Sequence, residues 1–462
     1  MSTVRSRNPQ RQLKNLQNIS KLTDKHASPI YEFNGFRLIP SERLLLRNGG
    51  AVPLTHKVFD ILLLLVRNRG QLVEKEEMLD AVWPEQFVEQ HNLTVSMSAL
   101  RKALGESPDK HEYIETVPKH GYRFIANVRE LPNDSSVQSK RHTHSTEAHH
   151  LYLKGRYNWN KRTPFWIERA VQYFEQAIQL DPHYALAYAG LADSYSLMAG
   201  NSGLPPSETF PKARAAALKA LEIDDTLAEA HTSLALVRYL FDWQWTAAER
   251  GFKRAIELNP NYATAHHWYG EYLVLCRRFD EGFKELGQAQ ELEPLSFPIN
   301  ADVGQYYFFT RRYEQAVEQL TRTLELEPNF VRALALLGWT FEQLGRFEEA
   351  IAKFEQATAL SGSRTLIVAG LGHAHAVSGN REAALEILEA LTEQAKRTYV
   401  SPYEVAVIHA ALNNVDAAFA CLERAFEDRS VWLSWLDVDP RLDALRTDVR
   451  FENLLGRVKN SR

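Results

Sequence analysis

From Tyr31 onward the apolar positions first alternate, then recur at helical spacing, then alternate again. The phrases EFNGFRLIP and RLLLRNGGAVPLT read as short strands of a small antiparallel sheet, with Asn48-Gly49-Gly50 as a hairpin turn. Val58, Ile61, Leu62 and Leu65 share one face of a helix that Thr55 can cap and that runs to about Asn68, where Gly70 stops it. A second helix runs from about Lys75 to Val82 and ends at Trp83-Pro84, and the polar loop EQFVEQH leads to a third. The third helix, Asn92 to Gly105, sets Leu93, Met97, Leu100 and Leu104 on one stripe. The stretch YIETVPKHGYRFIANV then reads as a hairpin. Tyr122, Phe124, Ala126 and Val128 share one face, and Arg123 and Asn127 share the other. Pro118 cannot sit in a central ladder and Gly121 tolerates positive φ, so PKHG is placed at the tip.

Beyond a Ser-, Asn- and His-rich stretch the pattern becomes helical and periodic. Pro260, Pro294 and Pro328 are 34 residues apart and close the phrases AIELNP, AQELEP and TLELEP; Pro182 and Asp225 hold the corresponding places earlier. Gly270, Gly304, Gly338 and Gly372 repeat with the same step, as do Ala316, Ala350, Ala384 and Ala418. This is the tetratricopeptide period: glycine lets paired helices approach, alanine fits the tight contact, and proline ends the second helix. About eight repeats fit, with insertions in the first three, the longest being GNSGLPPSE near 200 to 208. The final VWLSWLDVDPRLDALRTDVRFENLLGRV breaks the period and is expected to cap the last repeat.

The chain is therefore divided into a basic arm, 1–29, expected to be flexible; a winged-helix domain, 30–131; a linker, 132–146; the repeats, 147–430; and a capping segment, 431–462. The expected fold class is mainly α, with an N-terminal α+β winged helix-turn-helix followed by an all-α tetratricopeptide solenoid. Counting along the first helix of each repeat puts His267, Glu271, Gln305, Phe308, Arg332, Trp339, Glu342, His373 and Tyr403 on the concave groove, where exposed aromatics among single charges would suit a peptide or small ligand. The other reading of these residues is packing against the next repeat. The Lys/Asn/Arg set by which some tetratricopeptide proteins clamp a terminal carboxylate is not evident.

Residues 31 to 131 resemble the OmpR/PhoB-type DNA-binding domain, especially that of ToxR/CadC-like regulators, through LT..VFDILLLLVRNRGQLVEKEEMLDAVWP, SALRKALGE and IETVPKHGYRF. The resemblance implies that the third helix contacts bases and the wing contacts phosphates or the minor groove. By position it would turn Thr94, Val95, Ser98, Ala99, Arg101 and Lys102 to DNA, with Thr116, Lys119, His120 and Arg123 around the wing. Some relatives carry arginines where this chain has Ser98 and Ala99, so bidentate guanine recognition is not available there and the preferred site does not transfer. The resemblance also leaves the signal open, since neither a receiver domain with a phosphoacceptor aspartate before this module nor a membrane span after it is expected from the sequence given.

Composition adds less. The net charge of −4 divides into +5 over residues 1–146 and −9 over 147–462, which is compatible with nucleic acid at one end. The longest aliphatic run, Ile61 to Val66, cannot span a bilayer and residues 1–29 lack an apolar core, so a cytoplasmic protein without membrane contact is expected. Cys276 and Cys421 sit apart in helical patterns and read as reduced thiols. His142, His144, His149 and His150 cluster without a nearby cysteine, and no metal site is assigned to them. No phosphate loop, nucleophile elbow or HExxH is present, so neither an enzyme nor a cofactor is expected. The leading expectation is a transcriptional regulator that binds double-stranded DNA and takes a protein, peptide or small-ligand signal in its solenoid. The rival is an interaction scaffold whose winged helix has lost specific DNA binding.

Overall fold

The computed structural model describes residues 29–40, 44–47, 50–52, 54, 56–82, 90–106, 112–131, 143, 145–199, 203–294, 296–361 and 364–460. The basic arm, most of the linker with His142 and His144, Asn48-Gly49, Thr55 and Trp83-Pro84 fall outside these. The chain forms two compact units, Met1–Ser139 and Lys140–Arg462.

In the first unit, β1 (Ile30–Phe33), β2 (Phe36–Ile39), β3 (Leu44–Arg47) and β4 (Gly50–Val52) form an antiparallel meander. Asn34 and Gly35, both at positive φ, make the first turn, as two-residue hairpins require. Three helices follow: α1 (His56–Arg67), α2 (Lys75–Val82) and α3 (Gln90–Leu104), with β5 (Leu72–Glu74) between the first two. β6 (Ile114–Val117) and β7 (Gly121–Phe124) form the hairpin, and β5 pairs with β7 to make a three-stranded sheet. β8 (Arg129–Leu131), which the sequence pattern does not announce, returns to pair with β1. The core beneath these elements includes an aromatic cluster in which the Phe33 ring lies 5.4 Å from Phe36 and 5.1 Å from Phe124.

The second unit is a helical solenoid. Among the described residues, sixteen helices run from Thr146 to Glu427. The inner set is α4 (Thr146–Asn160), α6 (Ala185–Met198), α8 (Ala228–Leu240), α10 (Ala263–Leu275), α12 (Phe297–Phe309), α14 (Val331–Gln343), α16 (Thr365–Val377) and α18 (Pro402–Ala411). The outer set is α5 (Pro164–Leu180), α7 (Pro206–Ile223), α9 (Trp245–Leu258), α11 (Phe279–Leu292), α13 (Tyr313–Leu326), α15 (Phe347–Ser361), α17 (Arg381–Gln394) and α19 (Val415–Glu427). Each helix packs on the next, and each inner helix also packs on the next inner one. The repeated glycines sit where helix pairs touch: a Cβ on Gly304 would lie 2.5 Å from Leu320, and one on Gly338 would lie 2.7 Å from Phe354. Ala316, Ala350, Ala384 and Ala418 are all fully buried.

The chain then leaves the repeat pattern in two 3-10 turns, Val431–Trp435 and Pro440–Leu445, before α20 (Val449–Asn460). This segment does more than cap the last repeat. Trp435 stacks on Phe309 of α12 at 4.4 Å, and Asp443 pairs with Arg311 at 2.6 Å. Trp243 packs on Phe426 of α19, and the Trp245 indole donates to the Val458 carbonyl. The solenoid thus closes on itself, and the segment after the repeats lies against its inner helices.

Candidate nucleic-acid interface and the solenoid interior

Helix α3 has two distinct sides. Leu93, Met97, Leu100 and Leu104 are buried, while Thr94, Val95, Ser98, Ala99 and Lys102 are exposed. Val95 keeps 54% of its surface open and so stands free on that side of the helix. The helix contains no acidic residue, so nothing on its open side repels phosphate.

Arg101 does not face outward with them. Its guanidinium donates to the Ile114 carbonyl at 3.0 Å and the Thr116 hydroxyl at 2.6 Å, and pairs with Glu106 at 3.4 Å. The Glu106 carboxylate in turn accepts from the Ile114 backbone N–H at 2.9 Å. Arg101 and Thr116, both expected at DNA, therefore join the third helix to the wing. The reason is proximity: the hairpin returns beside the last turn of α3, and the nearest acceptors belong to it.

At the hairpin tip Lys119 and His120 are exposed. The positive φ expected at Gly121 belongs to Lys119, at 67°. Gly121 is required for a different reason, since β5 pairs directly across it and a Cβ would fall 2.0 Å from the Val73 carbonyl oxygen. Arg123, partly exposed, pairs with Glu115 on the neighbouring strand at 2.9 Å.

In the solenoid the nine groove positions converge on the interior, but most are enclosed rather than open. Phe308, Trp339 and Tyr403 are at most 1% exposed, and His267, Gln305, Glu342 and His373 are buried as well. Trp339 meets Trp432 edge-on, and the Arg441 guanidinium lies 4.2 Å from its ring centre. The Tyr403 hydroxyl donates to Asp439 at 2.9 Å, and Asp439 also pairs with Arg441 at 2.6 Å. The expectation of exposed aromatics is thus corrected: the segment after the repeats covers Trp339 and Tyr403, and Phe308 packs among Phe309, Tyr313 and Trp339.

The polar positions form chains. His267 bonds Asp302 at 2.8 Å, Arg332 bonds the other oxygen of Asp302 at 2.5 Å, and Arg332 also bonds Gln305. Burial works to raise the Asp302 carboxyl, yet Arg332 and His267 hold it down at about 2. Glu271 accepts from the Tyr239 and Tyr306 hydroxyls, and burial raises its pKa. His373 bonds Glu342 at 2.9 Å.

Sequence reasoning did not single out Arg156, Arg162, Asp193, Asp302, Asp439 or Arg441. The available signal was the composition of the inner helices: α10, ATAHHWYGEYLVL, has no polar face, and a helix that is apolar all round is buried all round. A charge on such a helix must find a partner inside. His149, on α4, is occupied with the Tyr184 hydroxyl at 3.0 Å. Among the described residues no group of three or more His, Cys, Asp or Glu is placed to hold a metal, and no helix is long and apolar enough to cross a membrane.

Comparison with known proteins matches residues 49–124 to the family of transcriptional regulatory proteins, C-terminal domain. Residues 165–184, 303–364 and 341–401 match tetratricopeptide repeat families. The transcriptional activator CadC of Escherichia coli is 33% identical over 101 residues, which cover 22% of this chain and 20% of CadC. The transcriptional regulator HilA of Salmonella typhimurium is 20% identical, over 58% of this chain and 72% of HilA. Among solved structures, the DNA-binding domain of E. coli CadC is 31% identical and covers 23% of this chain and 99% of that one, with a TM-score of 0.21. The chain therefore spans only about a fifth of CadC. It carries an OmpR/PhoB-type DNA-binding domain followed by tetratricopeptide repeats.

Proposed function

We propose that this chain is a cytoplasmic transcriptional regulator. Its winged helix grips duplex DNA, and its solenoid receives a protein or ligand signal that changes what happens at the bound site. The observation that carries the DNA half is the open side of α3, where Thr94, Val95, Ser98, Ala99 and Lys102 are exposed, as are Lys119 and His120 at the hairpin tip. In this arrangement Val95 can cover a thymine methyl, and Thr94 and Ser98 can bond base edges or phosphates. Lys102, Lys119 and Arg123 supply the charge that holds the backbone. That two relatives are named a transcriptional activator and a transcriptional regulator supports the same reading.

The rival scaffold reading has one observation in its favour: Arg101 is committed to the wing and Arg123 to Glu115, which thins the positive charge available to phosphate. Selecting genomic fragments with the full chain decides between them. A regulator enriches a shared sequence, and its affinity falls steeply between 50 and 200 mM salt, by about a factor of ten or more for a few phosphate contacts. Absence of binding at low salt makes the winged helix a protein-binding surface.

A further inference from the structure

The charges inside the solenoid do not balance at one point. Arg156 pairs with Asp193 at 2.9 Å, Arg332 pairs with Asp302 at 2.5 Å, and Arg441 pairs with Asp439 at 2.6 Å. Both oxygens of Asp193 are used, since Ser233 donates to the second at 2.5 Å. Both oxygens of Asp302 are used as well, by His267 and Arg332. Arg162, in the turn between α4 and α5, shares this interior and has no carboxylate of its own among these pairs. Its guanidinium lies 3.5 Å from the ring centre of Trp159, which is itself 2% exposed, and its Nε is buried without a hydrogen-bond acceptor.

Trp159 fixes where this point lies. Its ring meets Trp268 of α10 at 6.2 Å, so the first helix pair folds inward against the fourth. The groups whose fields Arg162 feels most are Asp302, Arg156, Asp193 and Arg332. Among these groups and Arg162 itself, three are guanidinium and two carboxylate; a further carboxyl, Glu271, acts on Arg332, and burial favours its protonated form. The side chains of Arg156 and Arg332 keep 22% and 35% of their surface open, and Arg162 is half-buried, so all three reach accessible space. Burial, with Arg156 and Arg332 nearby, pushes the Arg162 pKa down to about 9 in spite of Asp302 and Asp193, so it stays charged at neutral pH. A half-buried cation whose Nε is out of reach of solvent, without a counter-charge, is costly unless an anion accompanies it. The Trp159 indole N–H, also buried without an acceptor, is a second donor on the same residue pair.

We infer that the solenoid interior is a binding site for an oxyanion, the carboxylate or phosphoryl group of a small ligand, with Arg162 as its principal counter-charge and Arg156 and Arg332 at its sides. A guanidinium presents a planar fork that suits either group. The inference rests on the solenoid being the signal-receiving half, and it names the chemistry of that signal.

The test uses the full chain, with sodium phosphate and sodium citrate each titrated against sodium chloride of equal ionic strength, by calorimetry and by thermal unfolding. Saturable heat and a saturable rise in unfolding temperature with phosphate alone assign a phosphoryl ligand. The same response with citrate alone assigns a carboxylate, and responses to both support the shared site. Arg162→Gln should weaken that response at least tenfold, and Arg162→Lys should restore part of it. Arg322→Gln, on an outer helix, should leave it unchanged. In low-salt buffer without phosphate or citrate, Arg162→Gln should also unfold at a higher temperature than the parent, because it removes an uncompensated half-buried charge. If Arg162 merely packed on Trp159, the same change would lower it. The inference is overturned if neither anion exceeds chloride in the parent protein, a result that needs no variant to fold. It is equally overturned if folded Arg162→Gln responds like the parent. DNA is absent from every arm, so a failed anion response leaves the DNA reading intact, and failed DNA binding leaves this site intact.

Discussion

The two halves of this protein treat their candidate binding residues in opposite ways. In the winged helix, the positions opposite the buried stripe of α3 are exposed apart from Arg101, and those on the stripe are buried. In the solenoid, the positions that periodicity assigns to an open groove are mostly buried, Trp339 and Tyr403 under a segment that follows the repeats. The difference lies in how many surfaces each helix meets. Helix α3 meets one core, so it has one buried stripe and one open side. An inner helix such as α14 meets its own partner α15, inner helices on either side, and then the Trp432 to Arg441 stretch. Little of its circumference is left for solvent, and a polar residue there must be satisfied by other protein groups.

The largest expected effect follows from that contrast. If Phe308 and Trp339 lined an open groove, replacing both by alanine would abolish a partner response and leave the solenoid folded. Because both are enclosed, each replacement should instead cost about 3 to 5 kcal/mol through lost burial and the cavity left behind. Denaturant unfolding of Phe308→Ala and Trp339→Ala in the full chain should show midpoints well below that of the parent. Parental midpoints would restore the open groove.

These residues also show what the sequence could and could not convey. The three helices, the stripe of Leu93, Met97, Leu100 and Leu104, the hairpin after them and the 34-residue pairs were all readable, because each depends on local spacing. The segment after the repeats was readable only as a break in the pattern. Its contacts with Phe309, Arg311 and Trp339 join residues more than a hundred positions apart, and no period encodes them. Strand β8 was missed for the same reason, since Arg129–Leu131 is a strand only because β1 lies beside it. Arg101 shows a third limit: a helical position indicates which way a side chain starts, whereas a long guanidinium ends at whichever acceptor is near.

A smaller effect tests how dry the solenoid interior is. Glu404 on α18 is 2% exposed, and burial pushes its carboxyl up to about 7, with Thr365, Arg441 and Arg364 offsetting only part of the shift. The folded state therefore holds this proton more tightly than the unfolded chain, whose carboxyl titrates near 4.5. The resulting loss of stability begins above pH 4.5, grows until about pH 7 and is constant beyond. Glu404→Gln removes the ionisation. It should be more stable than the parent by about 3 kcal/mol at pH 8, with the advantage fading to nothing near pH 4.5. A constant difference across that range would mean that water reaches Glu404.

The smallest effects belong to the open side of the winged helix, where single substitutions should separate three roles that one family pattern had merged. Lys119 stands at the exposed wing tip, so Lys119→Ala should weaken all DNA sequences about equally and reduce the salt slope by about one. Val95 can touch only a base edge or sugar, so Val95→Ala should leave the salt slope unchanged. It should shift preference among sites by about 1 kcal/mol, read from competition between fragments that differ at one thymine. Arg101 makes its bonds within the domain, to Ile114 and Thr116. Arg101→Ala should therefore lower the unfolding midpoint of the winged helix by about 1 to 2 kcal/mol, and alter DNA affinity only as far as the wing loosens. The discriminating measurement is the salt slope of Arg101→Ala beside that of Lys119→Ala. Equal reductions would mean that Arg101 releases the wing and turns to phosphate when DNA binds. A parental slope with a lowered midpoint would keep it as the tie between helix and wing.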